Sequence, residues 1–266
     1  MNILRREWKA GWKAFLFWTL GLFGLMFTGV VKSTGLTSVE GANAAALIAV
    51  FPRIVQAVLG MVGMDMSTFP GFYAVLSRYS AILTAVYAVH LGSSAVSREA
   101  ADKTYEFVFT KPRTRAFILA QKLLAGWTYL FVFCALNPVF SAIAASVLKL
   151  DVQAARTFVP FAAAALCFGT VFFAFAALFA ATARSAETGA KLGNYAVLAA
   201  FCMGAVHDML ENPGLVRLLS PFRYFPASDL IACRLDPLYL TLCVLLSGLA
   251  LYMAFRRFEK RDLAAV

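Results

Sequence analysis

Apolar residues in this chain gather into long unbroken runs, separated by short stretches rich in charge, proline or serine. Six runs, at about 15–31, 71–95, 116–147, 157–183, 190–207 and 237–255, approach or exceed the roughly 20 residues that a helix needs to cross a bilayer. Only a helix or a closed barrel satisfies its own backbone hydrogen bonds in lipid, and barrel strands would alternate apolar and polar residues. No such alternation occurs over these runs. The pattern predicts an all-α membrane protein of six transmembrane helices in one domain, 1–266.

Two flanking segments are amphipathic instead. Near the start, Leu4, Trp8, Trp12 and Phe15 share one helical face while Arg6, Lys9 and Lys13 occupy another. This spacing predicts an interfacial helix over 1–14, with indoles among the headgroups, although the basic flank of any span looks similar. The stretch 43–63 is apolar enough to pass for a seventh span, which would invert everything after it. Pro52, Arg53 and Gln56 stand at its centre, where a lipid-facing helix suffers most from charge and lost hydrogen bonds. It reads as an amphipathic helix on the outer membrane surface.

Composition agrees: 61% of the 266 residues are hydrophobic and the mean hydropathy is +0.76, too apolar for a soluble core and its polar skin. A net charge of +10 raises the question of nucleic acid, but its distribution points to lipid. With six spans, 16 of the 24 Lys and Arg fall on the side of the termini, 7 on the other, and Arg78 lies within a span. The asymmetry predicts a multi-pass protein of the cell membrane with both termini cytoplasmic, and no nucleic-acid partner. The first apolar run is full length and lacks a small-residue cleavage site, so it is expected to be retained. Cys134, Cys167, Cys202, Cys233 and Cys243 are scattered, without a C-x-x-C pair, and are expected to be buried free thiols.

Catalytic motifs are missing. The nearest look-alike of a phosphate loop, "GVVKST" at 29–34, lacks the Gly-Lys pair. His90 and His207 stand far apart without ligand-spaced companions, and neither G-x-S-x-G nor H-E-x-x-H occurs. The chain is expected to be no enzyme, with no bound cofactor or metal of its own.

Charge is concentrated in "SREAADKTYEFVFTKPRTR", 97–115, which holds eight charged residues. Glu99, Asp102, Lys103 and Glu106 recur at helical spacing, with Ala101, Thr104, Tyr105 and Val108 on the other side. Pro112 ends that helix, and a basic turn leads into the third span. Spacing alone leaves two readings, a solvated loop or a docking helix.

The segment 93–126 resembles the signature region of ABC-2-type permeases, the membrane subunits of ABC transporters. In that family an acidic residue, a Gly-Thr-x-Glu-like element, a short apolar stretch, a Pro-x-x-Arg turn and a Lys recur between spans two and three. Here Glu99, Thr104 with Glu106, Phe107 to Phe109, Pro112 with Arg115, and Lys122 match in order, with Lys103 in place of the Gly and Tyr105 in place of an aliphatic. The segments 46–72 and "LLSPFRYFPASDLI", 218–231, are similar to outer segments of one branch, and the N-terminal helix is similar to the family's connecting helix.

The resemblance implies that 97–111 is a coupling helix contacting a separate ATP-binding subunit through Glu99, Asp102, Lys103, Thr104, Tyr105, Glu106, Phe107, Pro112 and Arg115. Two such subunits would hold ATP and Mg, and a second permease copy or a similar chain would complete the transporter. Their closure would drive export of an apolar or amphipathic compound. Conformational work on another protein is an alternative, as is an ATP-independent carrier or channel.

Several residues are candidates within or between spans. Arg78 either snorkels to the outer interface or serves a pathway or interhelix role. His90 reads as hydrogen-bonded to a neighbouring helix or as a proton relay. Asn137 and Pro138 weaken the third span locally, as a hinge or a plain kink. The Phe-rich run 167–181 faces lipid, the commoner case, or a substrate. Glu187 and Lys191, spaced i, i+4, support a short helix in the second cytoplasmic loop, a second contact or simply a loop. The prolines of 208–236 suit a re-entrant outer segment.

Overall fold

The computed structural model describes residues 3–36, 50–101, 114–149, 156–210 and 214–260, with the side chains of 34–36 and 99–101 left aside. Among the described residues there is no strand. Six helices are long and apolar enough to cross a membrane: α1 (Ile3–Leu36), α3 (Phe69–Ala101), α4 (Arg115–Val147), α5 (Phe158–Thr182), α6 (Ala186–Met209) and α9 (Pro237–Glu259). Short helices α2 (Arg53–Leu59), α7 (Val216–Leu219) and α8 (Ala227–Ile231) lie between them, with one 3₁₀ turn at Pro221–Arg223.

Local sequence sets several of the starts. Thr114 and Ser185 accept backbone N–H bonds from Phe117 and Thr188, at 3.3 and 3.2 Å, and so cap α4 and α6. Asp236 accepts from Leu238 N at 3.0 Å, with Pro237 at the first turn of α9. Before α3, Asp65 accepts from the Ser67 hydroxyl and backbone at 2.6 and 2.9 Å. Those bonds, the side-chain one foremost, hold its carboxyl below the usual range.

Contacts fix an up-and-down arrangement. Trp18 meets Tyr87 and Glu7 meets Arg98, so α1 and α3 are antiparallel, whereas Phe15–Tyr129 and Phe23–Phe140 make α1 and α4 parallel. The bundle therefore has a near end, with Ile3, Ala101, Arg115 and Glu259, and a far end, with α2, α7 and α8.

The centre is α5, which touches α3, α4, α6 and α9. Here the lipid-facing expectation for the Phe-rich run fails: Phe168, Phe172 and Phe173 are buried. A helix surrounded by four others has little face left for lipid. Small residues allow the approach, since a Cβ at Gly92 would stand 2.2 Å from the Phe173 carbonyl oxygen.

Three further expectations change. The 1–14 stretch is not a separate helix, because residues 3–36 contain no proline and run as one helix of roughly 50 Å at 1.5 Å per residue. Its first turns pack on α4: Trp8 Nε1 donates to Thr128 Oγ1 at 3.0 Å, and Tyr129 donates to the Trp8 carbonyl. Of the amphipathic helix expected over 43–63, the described part is α2, seven residues or about 10 Å, too short to cross. Pro52 precedes it and Gly60, at φ 75°, ends it; residues 43–49 lie outside the described set. All five thiols are free, but Cys202 and Cys233 are exposed.

Candidate functional site

The two ends of the bundle hold its charge in different ways. At the near end, α3 continues to Ala101, placing Glu99 on its last turn. Arg98 Nη1 meets Glu7 Oε2 at 3.2 Å, and Glu7 is buried, so α1 and α3 are braced together one residue before Glu99. Asp102, Lys103, Thr104, Tyr105, Glu106, Phe107 and Pro112 lie outside the described residues. Arg115 opens α4, and Lys122, two turns on, is buried. Glu187 and Lys191 are exposed and paired at 2.7 Å on the first turns of α6. They are part of that long helix rather than of a separate loop helix.

At the far end the charges come from distant positions. Arg78, on α3, reaches Asp208 in the last turn of α6 at 3.2 Å, and the Ala57 carbonyl of α2 at 3.4 Å. Its guanidinium also lies 5.6 Å from the centre of the Phe201 ring. Only 13% of the side chain is exposed, so it ends on protein rather than on headgroups. Gly60 makes room: a Cβ there would fall 2.1 Å from Arg78 Cδ.

The segment 214–231 supplies the rest by folding back along α6. Ser220 donates to the Ala200 carbonyl at 2.8 Å, and Arg223 Nε to that of Gly204 at 3.3 Å. Ala200 lies nine residues, or about 13 Å, inside the end of α6, so this segment packs well back from that end. Phe222 fills the gap against Phe168 and Phe172. Arg223 then pairs with the same Asp208 carboxylate, and His207 Nδ1 stands 3.3 Å from its other oxygen. Arg217 bonds the Arg223 and Tyr224 carbonyls at 3.1 and 2.9 Å and sits 4.0 Å over the Tyr239 ring.

Two guanidiniums thus share one carboxylate, beside a cavity of about 280 Å³ lined in part by Ser77, Arg78, Phe161, Ala164, Phe168 and Arg223. Sequence reading named Arg78 but not its partners. The available signal was an acid at a span end, Asp208, followed by a proline-broken stretch with three Arg.

A polar ladder lies deeper between α3 and α4. Tyr73 hydrogen-bonds Ser141 at 3.0 Å, Ser141 donates to the Asn137 carbonyl at 2.9 Å, and Asn137 Nδ2 donates to Ser80 at 3.2 Å. Asn137 is buried beside Pro138, so the weakened stretch of α4 is tied to α3. Tyr73, Ser77, Ser80 and Thr84 share one helical face, a sequence signal for this seam. His90 is exposed, stacked near Tyr87 at 6.4 Å, and among the described residues its ring bonds to no neighbouring helix. Among the described residues no three His, Cys, Asp or Glu form a metal-binding group.

The model of the ABC-2 family transporter protein matches residues 1–263, essentially the whole chain. No curated protein matches it. The chain belongs to the ABC-2 transporter family: it is a multi-pass membrane subunit of permease type, a kind that works with an ATP-binding subunit.

Proposed function

We propose, with membership of the ABC-2 transporter family as the premise, that this chain is half of the membrane pathway of an ATP-driven exporter. Two separate ATP-binding subunits dock on the 97–111 segment, with a lesser contact at Glu187 and Lys191, and hydrolyse ATP with Mg. A second permease copy or a similar chain completes the pathway. The near end faces the cytoplasm and the far end the outside, as the Lys and Arg asymmetry favours. The transported compound is apolar or amphipathic.

The supporting observation is the continuity of α3. One helix, Phe69–Ala101, holds Glu99 at the near end and Arg78 at the far end, 21 residues or about 31 Å apart. A push on its last turn is delivered to the Arg78–Asp208 contact through a single rigid element. The Glu7–Arg98 brace keeps that turn aligned with α1.

Reversing charge with Glu99→Lys and Glu106→Lys tests the docking. Co-purification with the ATP-binding subunit, and its stimulated ATP hydrolysis, should each fall at least tenfold. Unchanged association and hydrolysis would overturn the assignment. A reporter active only in the cytoplasm, fused after residue 110, should be active; silence there would reverse the orientation.

A further inference from the structure

We infer that the far-end cavity binds an amphipath with a single anionic headgroup, a phosphate or a carboxylate, whose short apolar portion lies on phenylalanines. The inference rests on the permease reading and names the ligand class that this subunit recognises.

Charge is the first argument. Arg78, Arg217 and Arg223 line the cavity, and among the described residues the carboxylate that lines it with them is that of Asp208. Arg78 and Arg223 both end on that one group, and Arg217 is spent on backbone carbonyls and a tyrosine face. Among the described residues two positive charges are therefore left over where solvent is scarce, since Arg78 and Arg223 are only 13% and 21% exposed. A surplus cation in such a place is costly unless an anion joins it. A guanidinium offers a planar fork of donors that suits phosphate and carboxylate oxygens.

An unused donor is the second. Arg78 Nε is buried without a hydrogen-bond partner among the described residues, and the Ser77 hydroxyl, a neighbour of Tyr73, lines the cavity with it. Buried polar groups are seldom left unpaired, and an incoming oxygen would satisfy this one.

Shape and lining exclude a free ion as the better occupant. The lining also includes Phe161, Ala164, Phe168, Phe222 and Phe225, an apolar surface that a hydrated anion gains nothing from touching. A cavity of about 280 Å³ lies near the lower limit of ligand sites, roughly 300 Å³, so a headgroup and a short chain fit.

Isothermal titration of the full-length protein in maltoside micelles, against empty micelles, decides the matter with octyl phosphate, octanol and inorganic phosphate as probes. Octyl phosphate should bind saturably, one per chain, at least tenfold tighter than octanol or inorganic phosphate. Ala81→Leu and Ala227→Leu, at two half-buried lining positions, should each weaken it at least tenfold. Equal binding of octanol would show that charge is not read, and equal binding of inorganic phosphate would make this a free-anion site. Unchanged octyl phosphate affinity in both variants would place the ligand elsewhere; each of these results overturns the proposal. Failure here with intact docking of the ATP-binding subunit rejects this site alone, whereas lost docking in the wild-type chain rejects the permease reading.

Discussion

The near end and the far end of the bundle manage charge in opposite ways. At the near end the ionic groups are many and clustered in sequence, and among the described residues most are exposed, as with Glu187 and Lys191 at 77% and 60% exposure. At the far end the described ones are few, with 130 positions between Arg78 and Asp208, and largely buried. Exposed pairs are weak and replaceable, so such a surface can separate from and rejoin a partner. Buried charges tolerate few arrangements, and so can define discrete states. The contrast suits an end that receives force and an end that opens.

Asp208→Asn should be the most damaging single change, because it leaves Arg78 and Arg223 facing each other without their anion. Breaking one side of a buried pair costs about 3–5 kcal/mol, here somewhat less because the group is partly accessible. Thermal unfolding in detergent should show a loss well beyond that of any near-end variant, and a milder effect would dissolve the contrast. Gly92→Val should follow, at about 1–3 kcal/mol, since its side chain would be driven onto the Phe173 carbonyl of α5. This substitution tests whether close α3–α5 contact is needed for α3 to act as one lever.

Glu7→Gln should cost less, about 1 kcal/mol, because Arg98 is 27% exposed and can reach water. Its larger effect is expected in stimulated ATP hydrolysis, through the end of α3; an unaltered rate would remove the brace from the mechanism. Lys191→Ala should leave unfolding unchanged, as its pair is exposed on both sides. A clear loss of stability there would erase the distinction between the ends.

The six spans were legible because crossing lipid demands long apolar runs, whatever they pack against. Pro52 and Arg53 likewise excluded a seventh span before any contact was known. The family was legible for another reason, the local order from Glu99 through Lys122, and the described structure reaches only the flanks of that segment.

Pairings were not legible. Arg78 is a lone cation in a span by sequence, and choosing Asp208 over Glu211, Asp229 or Asp236 needs the packing of α3 against α6. The Phe-rich run of α5 misled because lipid and protein interior are equally apolar, so composition cannot say which a phenylalanine meets. The sequence by itself determined how many times this chain crosses the membrane and where its ionic segments fall, since those follow from the solvent. Only the tertiary structure decided that α5 is central and that two arginines share one carboxylate, since those depend on which helices are neighbours.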